Sequence, residues 1–128
     1  EAIDLLMAMN TGHDGSLSTG HANSAKDMLT RLETMVLMGM EMPLDAVRRQ
    51  IASAVDVIVH LGRLRDHSRK VLEITEVIGY VDGEIVLSPL YTFVEDSETQ
   101  KGKVTGCLKK RNSLKHTEKL QNAGIVLS

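Results

Sequence analysis

Aromatic residues and cysteine are almost absent from this chain, and each absence argues against a class of protein. The 128 residues include two tyrosines, one phenylalanine and no tryptophan. Proteins that bind single-stranded nucleic acid stack its bases on aromatic rings, so no nucleic-acid partner is expected. The single cysteine, Cys107, cannot form an internal disulfide, which favours a reducing, cytoplasmic environment.

Long apolar runs and a strong net charge are also missing. No apolar stretch approaches the roughly 18 residues that span a bilayer, and the formal net charge is only −2. The lack of a long apolar run argues against a membrane-spanning protein, and the small net charge argues against a general attraction to nucleic acid. No Gly-x-x-x-x-Gly-Lys-[Ser/Thr] sequence occurs, so the chain has no phosphate-cradling loop of its own.

The chain opens within an apolar stretch that predicts a buried helix. Glu1 is not preceded by methionine, and the residues that follow are apolar on nearly every side of a helix: Ala2, Leu5, Leu6, Met7 and Met9. A helix that is apolar all round is buried inside a larger domain. We therefore expect the chain to be a C-terminal piece of a longer protein.

Capping residues and hydrophobic periods predict two helices, a set of antiparallel strands and a last helix. Ser24 and Asp27 match the Ser-x-x-Asp capping pattern of a helix that ends near Gly39. Asp82-Gly83 is a hairpin signal between two β-branched runs. Strands are predicted over residues 55–61, 70–80, 85–94 and 104–108, and the last helix over residues 113–123. Asp56 and Glu76, which interrupt apolar runs, are expected to form structural ion pairs with arginines.

Residues 11–24 read Thr-Gly-His-Asp-Gly-Ser-Leu-Ser-Thr-Gly-His-Ala-Asn-Ser. Within this block, His13 and His21 bracket a short Ser/Thr-rich segment. Backbone N–H groups at the start of the following helix favour a nearby anion, and an imidazole there can donate a hydrogen bond to a phosphate. A pair of loop histidines without a role is one alternative. A metal site formed by His13, Asp14 and His21 is another, but zinc usually takes three or four ligands at suitable spacing, commonly including cysteines. We assign no metal ligand.

This segment resembles the histidine box of the CpaF-like ATPases of type II/IV secretion, tight-adherence pili and type IV pili. The opening residues, Glu-Ala-Ile-Asp-Leu-Leu-Met-Ala-Met-Asn, are similar to the helix that follows the Walker B region in those motors. The segments that begin at Arg31, Gln50 and Arg63 are similar to the next family segments in order. Gly20 departs from the family pattern, in which a bulkier apolar residue is common. It is expected to loosen the short strand that is predicted over residues 16–19, before His21.

The resemblance implies an α/β fold: the C-terminal portion of a RecA-like P-loop ATPase domain with an antiparallel strand appendage and a terminal helix. Residues 1–80 would be the C-terminal part of the RecA-like ATPase core with the histidine box. Residues 81–128 would be the C-terminal strand and helix appendage.

The resemblance also implies the site residues. His21 is the principal catalytic candidate, as the sensor of the γ-phosphate of ATP, and His13 is the supporting one. Asn23 and Gly12 are the candidate cofactor-binding residues. ATP and Mg²⁺ are expected in the full-length parent, whose Walker A and Walker B motifs lie upstream, and not bound to this piece alone. The isolated chain is therefore expected to be inactive.

The implied function is that of a hexameric ATPase that couples ATP hydrolysis to protein export or pilus assembly. Its expected partners are other copies in the ring and an inner-membrane platform protein, at the cytoplasmic face of the membrane. A basic segment, residues 101–119, is interpreted first as a solvated basic helix face. The alternative for this segment is a contact with an acidic membrane surface or with a partner of the secretion machine. The alternative is a non-catalytic interaction module of a secretion machine, which would lack a P-loop upstream.

Overall fold

The computed structural model describes residues 22–39, 41–96 and 102–125. Within these ranges, two helices precede a four-stranded sheet and a short helix follows it. The elements are α1 (Ala25–Gly39), α2 (Leu44–Ala54), β1 (Val57–Arg63), β2 (Arg69–Val81), β3 (Glu84–Glu95), β4 (Gly106–Lys110) and α3 (Glu118–Asn122). The expected mixed α/β fold is confirmed at this level.

The described sheet has the strand order β1-β2-β3-β4, and every neighbouring pair is antiparallel. The β2–β3 hairpin turns at Asp82 and Gly83, whose φ angles are 50° and 85°. A tight two-residue hairpin turn of this twist needs positive φ at both central positions, which Asp and Gly tolerate. The hairpin predicted from Asp82-Gly83 is therefore confirmed.

The core lies between the two long helices and one face of the sheet. Its buried members on the helices are Leu29 and Val36 of α1 and Val47 and Ile51 of α2. Each pair is spaced by about one or two helical turns, so both helices present one apolar stripe. Half-buried side chains of the strands, Ile58, Ile85 and Leu87, pack against this cluster.

The opposite face of the sheet is covered unevenly. Along β1, Val57 and Val59 are exposed, whereas Ile58 between them packs towards the helices. Val57 pairs with Glu76 of β2, and directly paired residues project from the same face. Glu76 is nevertheless only 1% exposed, because residues that precede α3 cross this face at that point.

The last helix begins later than predicted, at Glu118 instead of near residue 113. The backbone N–H groups of Lys115 and His116 donate to the Glu76 carboxylate at 2.8 and 2.9 Å. This contact holds the residues before Glu118 against the sheet and keeps them out of the helix.

The division of the chain at residue 80 stays a prediction. Residues on both sides of it, Tyr80 and Ile85, are paired within the β2–β3 hairpin. None of the helices within the described ranges is both long and apolar enough to cross a membrane.

Candidate functional site

The beginning of α1 is fixed by a reciprocal pair of hydrogen bonds. The backbone N–H of Asp27 donates to Ser24 Oγ at 3.0 Å, and the backbone N–H of Asn23 donates to Asp27 Oδ2 at 2.9 Å. The predicted capping pattern is confirmed, with Ser24 as the cap. The Asp27 carboxylate accepts the backbone N–H of Asn23, the residue before the cap, instead of that of Ser24. These bonds set the direction in which the chain enters α1.

Of the four predicted site residues, only Asn23 lies in the described part of the chain. Gly12, His13 and His21 lie outside the described residues, and their roles stay predictions. Asn23 is exposed, and its backbone N–H is already bonded to Asp27. The cofactor-binding role of Asn23 stays a prediction.

The first turns of α1 carry an ion pair. Arg31 Nε lies 3.1 Å from Asp27 Oδ2, one helical turn apart. The backbone N–H of Asn23, and then the Arg31 guanidinium, lower the pKa of Asp27 below its ordinary value. An anionic carboxylate in the first turn suits the positive end of the helix dipole. A phosphate placed here would therefore meet Arg31 as an attractive charge and Asp27 as a repulsive one.

One arginine joins both long helices to the hairpin turn. Arg48 Nε of α2 donates to Glu33 Oε1 of α1 at 3.1 Å, and its Nη1 donates to the carbonyl oxygen of Gly83 at 2.8 Å. Glu33 and Arg48 keep 15% and 30% of their side-chain surfaces exposed, so this pair is shielded from solvent more than the Asp27–Arg31 pair. We call Glu33, Arg48 and Gly83 the arginine link.

A second contact reinforces the same junction. Tyr80, just before the hairpin turn, donates its hydroxyl to Asp45 Oδ1 of α2 at 2.8 Å. The Arg49 guanidinium lies 5.2 Å from the centre of the Tyr80 ring, within the range of a cation–π contact. The hydrogen bond to Asp45 is the main cause that raises the pKa of Tyr80. Helix α2 and the hairpin are therefore joined by several polar contacts besides the core.

The ion pair expected for Glu76 is wrong. Its carboxylate accepts hydrogen bonds from backbone N–H groups of Lys115 and His116, as described above. The ion pairs of the described residues include Asp27–Arg31, Glu33–Arg48 and Arg65–Glu95. Asp56 belongs to none of these three pairs. The sequence offers no signal for the partner of Glu76, because a backbone group about 40 residues away has no side-chain signature.

Comparison with known proteins places the chain in a family. The sequence model of the family described as "Type II/IV secretion system protein" matches residues 1–123. The chain therefore belongs to the type II/IV secretion system proteins. The family-level resemblance of the sequence is confirmed, while the CpaF-like branch stays a prediction.

Several relatives are named for conjugal transfer or type IV secretion. A protein of Mycobacterium tuberculosis strain H37Rv, named for conjugal transfer, is 36% identical over 85 residues, which is 66% of this chain and 24% of that protein. The conjugal transfer protein TrbB of Rhizobium radiobacter is 34% identical over 96 residues, 75% of this chain and 28% of the relative. The type IV secretion system protein VirB11 of Brucella suis is 38% identical over 64 residues, 48% and 18% of the two chains. The chain thus matches about a quarter, or less, of the length of these relatives.

Proposed function

We propose that this chain is the histidine-box part of a hexameric, CpaF-like ATPase that drives protein export or pilus assembly. The observation that carries the proposal is the match to the secretion family over residues 1–123. In this proposal residues 1–80 belong to the C-terminal part of a RecA-like core, and residues 81–128 form the strand and helix appendage. The phosphate-cradling loop and the acid that holds Mg²⁺ come from sequence outside this chain.

The start of α1, which is the part of the proposed site that the structure describes, has both favourable and unfavourable features for a phosphate group. The positive end of the α1 dipole lies at the start of the helix, which begins four residues after His21 in the sequence. Asp27 would repel a phosphate, but Arg31 already balances its charge. In the complete ATPase, ATP supplies the phosphoryl group that is transferred to water. His21, and with it His13, would donate imidazole hydrogen bonds to that group, while Asn23 and Gly12 line the site.

In this proposal the arginine link transmits a movement from the start of α1 to the β2–β3 hairpin. A shift of His21 would move the capped start of α1, because the hydrogen bonds of Asp27 with Ser24 and Asn23 fix the entry of the chain into the helix. Glu33 lies two turns further along the same helix and passes the shift to Arg48 and the Gly83 carbonyl. The hairpin, and not the helix alone, would then change position with the state of the nucleotide.

The proposed partners follow from the same assignment. Other copies of the full-length protein would complete a ring, and a platform protein in the inner membrane would receive the motion at the cytoplasmic face. In the described part of the basic segment, Lys103, Lys109 and Lys115 are exposed. They form a candidate contact with anionic lipid headgroups.

Replacement of His21 by alanine in the full-length protein tests the proposal. We expect ATP turnover to fall about 100-fold or more, the usual effect of removing a group that acts in the transition state. The affinity for ATP should change little, because the phosphate-cradling loop is intact. Turnover equal to that of the wild type would remove His21 from the mechanism.

A matched control is available at His67. This exposed histidine lies in the β1–β2 turn with a φ of 67°, and asparagine tolerates that left-handed geometry. His67→Asn should leave ATP turnover unchanged.

The 128-residue chain alone should not turn over ATP at any protein concentration. Turnover proportional to purified chain would contradict the expected division of the catalytic machinery. Full-length sequence without a P-loop would favour the alternative, a non-catalytic interaction module of a secretion machine.

A further inference from the structure

Glu76 is a buried carboxylate whose described partners are backbone N–H groups alone. Its two oxygens accept the N–H groups of the successive residues Lys115 and His116, one oxygen each. Two successive N–H groups that converge on one anion compensate its charge without a cation. The arrangement matters because an uncompensated buried carboxylate is strongly unfavourable.

The residues that supply these N–H groups cross the sheet as a strap, which we define as residues 111–117. The strap starts at the sheet edge, where the backbone N–H of Arg111 donates to the Leu90 carbonyl at 2.7 Å. Asn112 Nδ2 then donates to the carbonyl oxygen of Pro89 at 2.8 Å. At the far end, His116 Nε2 lies 2.8 Å from the Ile78 carbonyl oxygen, to which it donates.

The strap is held on the sheet mainly by polar contacts, because few of its apolar groups are buried. Most of its side chains are exposed, and only Leu114 and Thr117 are half-buried. The sheet beneath it is much more strongly connected, with β2 and β3 paired along most of their length. A segment with few buried apolar contacts opens at a lower free energy than the paired strands below it.

The strap also divides one face of the sheet. Glu76 and its cross-strand partner Ser88 are buried beneath it, at 1% and 8% exposure. Val57, the partner of Glu76 on β1, lies on the same face and is 42% exposed. If the strap were removed, Glu76 and Ser88 would become exposed next to Val57 and Val59, the exposed apolar side chains of β1.

We propose that the strap is a releasable latch, locked by Glu76, that opens together with α3 while the sheet stays folded. Helix α3 follows directly, since the Thr117 carbonyl accepts the N–H of Gln121 at 2.9 Å. Opening lengthens the exposed face from β1 towards β3 and frees the C-terminal helix. The latch is a property of this chain and does not depend on the ATPase assignment.

Amide hydrogen exchange of the full chain tests the latch through Glu76→Gln. Glutamine keeps one carbonyl oxygen but turns an NH₂ group towards the second backbone N–H, and the negative charge is lost. We expect the amides of Lys115 and His116 to exchange about tenfold faster or more. Amides in the β2–β3 pairing should keep their wild-type protection.

The matched control is Glu84→Gln, the same chemical change on an exposed side chain at the start of β3. It should leave exchange unchanged in the strap. Unchanged exchange at Lys115 and His116 in Glu76→Gln would overturn the latch. Equal acceleration in the strap and in the β2–β3 pairing would also overturn it, because Glu76 would then belong to the cooperative core.

A second pair of variants decides the matter if Glu76→Gln does not fold. Asn112→Ala and His116→Ala remove exposed side chains that hold the strap to Pro89 and Ile78. Faster exchange confined to the strap and α3 would support the latch. Wild-type exchange of the strap in both variants would overturn it.

Discussion

The carboxylate of Asp66 accepts the backbone N–H of Val104 at 2.8 Å, although the two residues are 38 positions apart. Asp66 also accepts the hydroxyl and the backbone N–H of Ser68, within the β1–β2 turn. Val104 is buried and precedes β4. One side chain thus shapes a turn and ties it to the segment that leads into the last strand.

This contact predicts a pH dependence of stability at the acidic end. The Ser68 hydroxyl first, then the N–H groups of Val104 and Ser68, lower the pKa of Asp66 to about 2. A depressed carboxyl pKa stabilises the folded state above the unfolded value, and the contribution is lost as pH falls through the folded pKa. Asp66→Asn should therefore unfold at a lower temperature than wild type at pH 7. The difference should shrink between about pH 4 and pH 2, and a gap that is constant over this range would contradict the assignment.

The cap of α1 supplies a second prediction. Ser24→Ala removes the hydroxyl that accepts the Asp27 N–H, and should lower the free energy of unfolding by about 1 kcal/mol. Ser24→Asp keeps an oxygen at the same place and should stay close to wild type. Urea denaturation of the three proteins measures both effects. Equal losses in the alanine and aspartate variants would mean that the cap does not stabilise the helix.

Sequence patterns predicted those parts of the fold that short-range chemistry determines. Ser24 with Asp27 indicated the start of α1, and Asp82-Gly83 indicated the hairpin. Each depends on backbone geometry within four residues, which residue type controls directly.

Long-range contacts were not predictable in the same way. Glu76 binds backbone N–H groups of Lys115 and His116, and any residue type except proline supplies such a group. The predicted start of α3, near residue 113, is wrong because the sequence does not show that these N–H groups bind Glu76. The histidine box stays a prediction from its residue string, because Asn23 is the one predicted site residue that the described structure contains.

The arginine link predicts a measurable coupling between α1 and α2. In a double-mutant cycle of Glu33→Ala and Arg48→Ala, we expect a coupling of about 1 kcal/mol, since the pair is partly shielded from solvent. The same cycle on the more exposed Asp27–Arg31 pair is the comparison and should give a smaller coupling. Chemical denaturation provides all the values. A weaker coupling for Glu33–Arg48 than for Asp27–Arg31 would show that the link does not join the helices.

The core between the helices and the sheet predicts a graded loss of stability. Ile51 is fully buried in α2, so Ile51→Val should cost about 1 kcal/mol and Ile51→Ala about 2–5 kcal/mol. Met38, at the end of α1, is 83% exposed, and Met38→Ala should change stability little. A large loss for Met38→Ala would mean that the end of α1 packs against another surface in solution.

The basic segment predicts a salt-sensitive affinity for anionic vesicles. Lys103 and Lys109 are exposed before and within β4, the edge strand of the described sheet. A lysine near an anionic membrane contributes about fivefold in binding, so each change to glutamine should lower vesicle binding by about that factor. Lys26→Gln, on α1, is the control and should leave binding unchanged. Co-sedimentation with vesicles that contain phosphatidylserine measures the effect, and vesicles of neutral lipid alone should not bind. Equal binding to both kinds of vesicle, or an equal loss in Lys26→Gln, would place the membrane contact of the protein outside this segment.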